Sequence, residues 1–539
     1  MNARHGQSFL LESIKAAIGA ALVGGLLLPL VLGVLLQLVT GWRLPLSFWP
    51  LLAALGALAG GWHGFKGASL NSAPVAPDLG RARFAHDSEI DALTRRESNS
   101  LAIGWTPGDK PGEWPLLYYS GPGHLLTIAP TRSGKGVGSI VPNLLMADRS
   151  VFVIDPKGEN AKITARQRRA FGPVFILDPF EVSGHAGAAF NPLALMSAES
   201  LDLAEDAATL ADALVLDSGD AKDSHWNDEA KALISGIIMY VAASEKPEAR
   251  NLDRVRQYLT LPPETFKDFL QEMAGSTAAH GLIARTGGRF LGKTGVEFAG
   301  VISTAQRHTQ FLDSPRIARA LSRSDFSFAD LVAGVASVFV VLPPDRLETY
   351  NRWLRLMINA ALRDLARAPQ RPARPILFLL DEFAALGRLD EVRRGMGLMA
   401  GYGVQLWPIF QDFSQLTAIY GKSAETFFAN AEVVQAFNVQ DLETAKKLSE
   451  FMGDKTISYT TTTQNSGESN QGGFGGKIST NTGEGVATHF QARRLMKPEE
   501  ILTLMDGIEL LFVKNYRPFQ AGKIRYFERP EFTGLYDQA

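Results

Sequence analysis

Two apolar stretches without a charged residue open the chain, one from Ala16 to Trp42 and one from Leu44 to Trp62. Each reaches or exceeds the ~19 or 20 residues that cross a bilayer as a helix, and only Gly41 to Ser47 is left to form the turn between them. The pattern predicts an N-terminal transmembrane helical hairpin, about 16–42 and 44–62, inside an anchor over 1–66. Arg4 and Lys15 precede the first stretch, and Lys66, Arg81 and Arg83 follow the second, with only Arg43 in the turn opposing them. That bias predicts a membrane protein with both termini and the bulk of the chain in the cytoplasm. A cleaved signal peptide followed by a buried helix is the alternative, but the first stretch is longer than a signal core and a second follows at once.

Beyond a Gly-, Ser-, Asn- and Pro-rich linker over Gly67 to Pro77, the pattern changes to short apolar runs that end in polar residues. Residues 67–120 read as linker and approach to the next domain. Leu125 to Ala129, Val151 to Ile154, Val174 to Leu177, Val338 to Leu342, Ile376 to Leu380 and Val404 to Phe410 are short, mostly apolar runs, continuous at Ile376 to Leu380, as strands covered on both faces of a parallel sheet are. From Ser197 to about Asp330 the strand pattern gives way to helical spacing. In Ser224 to Val241, Ser224 is placed to cap and Ala230, Leu233, Ile234, Ile237 and Ile238 share a face. The sheet is therefore expected from two segments, 121–197 and 331–539, with an all-α insertion over 198–330, and a long helix Leu347 to Ala366 precedes the run at 376. Thr460 to Thr488 is dominated by Thr, Ser, Asn, Gln and Gly and is expected to form a mobile loop; a role touching phosphates near a pore is the functional alternative.

Composition narrows the chemistry. Fifty-four basic residues nearly balance 56 acidic ones, so a polyanion partner needs a local patch. The absence of cysteine excludes disulfides, thiolate zinc sites and a cysteine nucleophile, and the nine histidines lack metal-ligand spacing.

What remains is a nucleotide signature. After the run at 125 come Pro130, Thr131, Arg132, Ser133, Gly134, Lys135, Gly136 and Val137, then an apolar helix start. Strand, loop and helix in that order are what a P-loop requires: backbone N–H groups curl around phosphate, the helix N-terminus adds its dipole, and Lys135 reaches the terminal phosphates of ATP. Ala129 stands where the consensus has Gly. Gly136 stands where it has Ser or Thr, so Mg²⁺ must lean on carboxylates and water. The run at 376 ends in Asp381-Glu382, a Walker B pattern in which Asp381 holds Mg²⁺ through water and Glu382 polarises the attacking water. The run at 404 ends in Gln411, placed to sense the γ-phosphate or orient water. Asp155, Lys157 and Glu159 follow another run, and Asp178 reads as a turn residue.

The strings Ala-Pro-Thr-Arg-Ser-Gly-Lys-Gly (129–136), Asp-Pro-Lys-Gly-Glu (155–159) and Leu-Leu-Asp-Glu-Phe (379–383), with Gln411 and the hairpin, resemble the TraG-type coupling ATPases of conjugation. Phe190-Asn191-Pro192-Leu193, Arg494-Leu495 and Pro498-Glu499-Glu500-Ile501 extend the likeness, and Gly136 is a familiar variant in that family. The resemblance implies a RecA-like P-loop motor domain with the helical domain inserted. It further implies a homo-hexamer that feeds relaxase-bound single-stranded DNA or effector proteins into a type IV secretion channel. It also implies a trans-acting Arg, for which Arg393, Arg394 and Arg132 are candidates. A reading from another class is a protein-only substrate receptor that uses nucleotide for assembly; Glu382 and Gln411, which such a receptor does not need, favour a hydrolase.

Overall fold

The computed structural model describes residues 79–539 except 109, 111, 217–220, 294, 470–478 and 539, together with residues 50 and 54. Apart from those two, the expected membrane hairpin lies outside the described residues. Among the described residues, no helix is long and apolar enough to cross a membrane. The chain falls into two compact units, Ala82–Asp454 with Arg494–Ala539, and Met1–Arg81 with Lys455–Arg493.

The larger unit is built on an eleven-stranded sheet. Its strands are β1 (Leu101–Trp105), β2 (Leu116–Tyr119), β3 (His124–Ile128), β4 (Val151–Asp155), β5 (Val174–Leu177), β6 (Ser337–Val341), β7 (Ile376–Leu380), β8 (Val404–Phe410), β9 (Ala431–Phe437), β12 (Ile508–Val513) and β13 (Phe519–Gly522), with β10 (Asp454–Ser469) and β11 (Ser479–Arg494) forming a separate two-stranded ribbon. The large sheet runs β2-β1-β13-β12-β9-β3-β8-β7-β4-β6-β5. From β9 to β5 neighbours are parallel, whereas β12, β13, β1 and β2 add on antiparallel.

The central strands β3, β4, β7 and β8 are buried throughout and mostly apolar because helices cover both faces, and every residue of β7 is fully buried. The order β3-β8-β7-β4 sets four strand ends side by side on one carboxyl edge, where the ligands of open α/β sheets bind. Register pairs Ile128 with Phe410 and Leu380 with Pro408, so the loops that follow these strands emerge at nearly one level.

Between β5 and β6 the described residues contain helices and no strand, including Leu203–Leu214, Ala221–Ser244, Leu252–Leu259, Pro263–Ala274, Leu282–Leu291 and Gly295–Thr309. The second of these departs from expectation in two ways. It starts at Ala221, so Ser224 lies inside rather than capping it. Besides the expected Ala230, Leu233, Ile234, Ile237 and Ile238, it buries Met239 to Ala242, because neighbouring helices wrap nearly its whole circumference. A single hydrophobic core runs from these helices to the sheet, Leu233 and Ile237 belonging to the same cluster as Phe152 and Phe378.

The Thr-rich segment over 460–488 is not a loop through most of its length, since its flanks pair as β10 and β11. Thr is a good strand former whatever its hydropathy, and paired strands satisfy one another's backbone groups without a core of their own. Tyr459 and His489 stack across the ribbon with ring centroids 5.2 Å apart.

Candidate nucleotide site

The loop from β3 into the helical segment Gly136–Ile140 bends through two left-handed residues, Arg132 at φ 63° and Gly134 at φ 91°. Its start is tied to the next strand, the Ala129 N–H donating to the Phe410 carbonyl at 2.8 Å. Pro130, Thr131, Arg132, Gly134, Lys135, Gly136 and Val137 are exposed or half-buried along the rim of this turn, whereas Ser133 is buried and its Oγ has no partner. A Cβ at either Gly134 or Gly136 would meet no atom within 4 Å, so backbone conformation alone separates the two sites. Gly134→Ala is accordingly expected to cost about 1–2 kcal/mol, read as a lower Tm, while Gly136→Ala, with ordinary helical φ, should leave Tm level or raise it by about 1 °C.

Four of the expected catalytic side chains converge. Lys135 Nζ lies 2.9 Å from Asp381 Oδ1 and 2.5 Å from Glu382 Oε1, and Gln411 Nε2 donates to Glu382 Oε2 at 2.9 Å. Packing explains the convergence. Phe383, directly after Glu382, and Phe410, directly before Gln411, meet edge to face at 5.4 Å, so one buried aromatic contact locks both polar neighbours. Glu382 is itself left-handed at φ 49°, a strained conformation for a residue with a Cβ, held by its N–H donating to Asp381 Oδ1 at 2.9 Å.

The charges balance against burial. At Lys135 desolvation is the largest influence and opposes the charge, yet the facing carboxylates of Asp381 and Glu382 outweigh it and hold the ammonium above its ordinary range. At Asp381 burial prevails over Lys135 and pushes the carboxyl up. At Glu382 burial is again the largest influence, but Lys135 and Gln411 together bring the carboxyl below the usual range. Asp155, at the neighbouring end of β4, is buried and pushed up to about 7, although Ala161 N–H donates to it at 2.8 Å.

This donor set suits a phosphate carrying Mg²⁺: a curled backbone, one ammonium, a hard carboxylate on Asp381 and the unpartnered hydroxyl of Ser133. Gly136 contributes nothing to it. Lys157 is exposed, with its charge helping to hold Glu382 down, and Gly158, left-handed at φ 68°, starts the helix Glu159–Phe171. Asp178 is a turn residue, its Oδ2 accepting from Ser183 N–H at 2.6 Å.

Arg393 and Arg394 are not brought into the cluster. Among the described residues their ion pairs are local, Arg393 with Asp390 at 2.9 Å and Arg394 with Glu391 at 3.1 Å along one helix. Two groups beneath the P-loop were not legible as site residues from the sequence. Gln435 Oε1 accepts from both Thr127 and Ser139 at 2.9 Å, and its Nε2 donates at 2.5 Å to Glu509, whose carboxyl burial holds well above its normal range. Their signal was a polar residue inside an apolar strand. Lys523, whose Nζ donates to the Ser133 carbonyl at 3.1 Å, carried no such signal.

The family described as "Type IV secretory system Conjugative DNA transfer" matches residues 83–538. The chain is 30% identical over 505 residues to the conjugal transfer protein TraG of Escherichia coli, spanning 84% of this chain and 77% of that one. It is 26% identical over 479 residues to the type IV secretion system-coupling protein VirD4 of Bartonella henselae, spanning 85% and 72%. Its fold is that of the bacterial conjugative coupling protein TrwBdeltaN70, with a TM-score of 0.61 at 16% identity over 84% of this chain and 95% of that one. The plasmid coupling protein TrwB in complex with ADP and Mg²⁺ matches with a TM-score of 0.60 at 16% identity, over 84% and 96%. Carried by a match over most of its length, the chain belongs to the type IV secretory system conjugative DNA transfer family.

Proposed function

We propose that this protein is an inner-membrane ATPase of two spans that delivers substrate to a type IV secretion channel and drives its transfer by ATP hydrolysis. The substrate is relaxase-bound single-stranded DNA, effector proteins or both. In this reading residues 1–66 anchor the chain, the RecA-like motor comprises 121–197 and 331–539, the helices over 198–330 form an inserted domain, and the working unit is a homo-hexamer. The observation that carries it is the meeting of Lys135, Asp381, Glu382 and Gln411 at one sheet edge, because a site that only holds nucleotide has no use for a carboxylate oriented by an amide. Lys135 would bind the terminal phosphates, Asp381 would hold Mg²⁺, which stabilises charge on the transferring phosphoryl group, and Glu382, steered by Gln411, would take the proton of the attacking water. The protein-only receptor is the second reading, favoured by Gly136, which denies Mg²⁺ its usual hydroxyl.

The test is phosphate release by the full chain in detergent with Mg²⁺ and ATP, with and without single-stranded DNA. Turnover that rises several-fold with DNA supports the motor. A folded, ATP-binding chain that never releases phosphate establishes the receptor instead.

A further inference from the structure

Lys523 is set up as a fixed strut. Its backbone is held on both sides, the N–H donating to the Gly507 carbonyl at 2.9 Å and the carbonyl accepting from Trp105 Nε1 at 2.8 Å. Its side chain, only 9% exposed, crosses the face of Phe437 with Nζ 5.3 Å from the ring centroid. An ammonium has three donors, and three acceptors meet this one: the Ser133 carbonyl at 3.1 Å, Asn438 Oδ1 at 2.6 Å and Asp506 Oδ1 at 3.1 Å. Asn438 is left-handed at φ 54° and also donates to Asp506 at 2.6 Å. The Asp506 carboxyl is held below its ordinary range by Asn438 first and Lys523 second.

Covalent geometry and chain connectivity give this strut two effects. The 133–134 peptide is planar and trans, so its carbonyl oxygen and the Gly134 N–H point in opposite directions. Holding the Ser133 carbonyl against Lys523 therefore turns the Gly134 N–H away from Lys523. Gly134, at φ 91° and without a Cβ, resists rotation of that peptide little by itself. At the other end, Asn438 and Asp506 are the two feet of the excursion over 439–505, through the helix Leu442–Met452, β10, β11 and the helix Pro498–Leu502. Lys523 and the Asn438–Asp506 hydrogen bond pin those feet together.

We propose that Lys523 is the positioning residue of the phosphate loop, clamping its 133–134 peptide to the paired feet of the 439–505 excursion so that nucleotide affinity depends on a side chain outside the P-loop. The proposal rests on the nucleotide-site reading and deepens it. Losing the strut frees one phosphate-facing amide to rotate, and forfeiting one charge-assisted hydrogen bond weakens binding by about tenfold.

The test is titration of a fluorescent ATP analogue with Mg²⁺ into the full chain in detergent, comparing the parent with Lys523→Met and Asp506→Asn. Expected are an affinity about tenfold weaker for Lys523→Met and a smaller loss in the same direction for Asp506→Asn, with the loss in turnover falling on KM rather than kcat. Parental affinity in a folded Lys523→Met protein overturns the proposal while leaving the nucleotide site standing. Should that variant melt early, Asp506→Asn, altered at an exposed carboxylate, decides the matter: unchanged affinity overturns the strut. A parent chain that binds no analogue fails the nucleotide-site reading itself, which is a distinct result.

Discussion

Lys135→Ala is expected to lower ATP turnover by roughly 10²- to 10³-fold, the scale at which removing one preorganised charge-stabilising donor acts in a water-poor site. The ammonium has two tasks here. Toward substrate it is the cation at the P-loop helix start. Toward the protein it separates Asp381 from Glu382, with 2.9 and 2.5 Å contacts to each. Without it two neighbouring carboxylates lose their shared cation, and the pair must bind a proton that the parent does not carry. The pH dependence should reverse accordingly. In the parent, Glu382 is held below its ordinary value, so it contributes stability above its unfolded pKa, and that contribution is lost as pH falls through the folded value. In the variant, burial, the largest influence on Glu382, is opposed only by Gln411 and Lys157, so the carboxyl is expected to rise and stability to be lost instead as pH rises. Phosphate release and melting at pH 5, 7 and 9 test both statements. A variant that keeps a tenth of the parent's turnover, or that melts with the parent's pH profile, removes Lys135 from the centre of the site.

The residues that were legible in the sequence share a physical cause. β3, β7 and β8 are covered on both faces, so each is a mostly apolar run, unbroken in β7, and the polar residue that follows it stands out: Lys135 after a short loop, Asp381 and Glu382 at once, Gln411 at once. Strands of the antiparallel flank carry no such contrast. β1 includes Gly104 and β13 is only Phe519–Gly522, so neither shows a run long enough to read, and β1 and β2 lie within the stretch 67–120 that reads as linker and approach to the next domain. The ribbon of β10 and β11 was hidden for the opposite reason, since its Thr-rich strands carry no apolar run in the sequence. Lys523 was hidden because its meaning lies in three acceptors brought together by the fold, Ser133 from 390 residues away, Asn438 from 85 and Asp506 from 17. Arg393 and Arg394, the candidates for an Arg acting in trans, each pair within their own subunit with a carboxylate one turn back.

Glu382→Gln is expected to separate binding from chemistry. The substitution keeps the shape of the side chain, and a side-chain oxygen remains to accept from Lys135, so nucleotide affinity should stay within about threefold of the parent. What it removes is the proton acceptor. If Glu382 activates water, turnover falls by about 10²- to 10⁴-fold, the usual worth of a general base, and the protein accumulates with ATP bound. The left-handed φ of 49° at this residue sharpens the comparison. A strained backbone is kept only where its surroundings enforce it, and here Phe383 packed on Phe410 does so whichever side chain follows Asp381. The variant should therefore keep the parent's fold, melting lower only by the ion-pair contribution of Glu382 to Lys135, and a loss of turnover in the folded protein reports chemistry. Quenched single-turnover assays with radiolabelled ATP distinguish the outcomes. ATP retained intact by Glu382→Gln and cleaved by the parent establishes the hydrolytic role. Equal cleavage by both moves the base elsewhere, with the buried Asp155 carboxyl, pushed up to about 7 and within the field of Asp381, as an alternative acceptor on the same sheet edge.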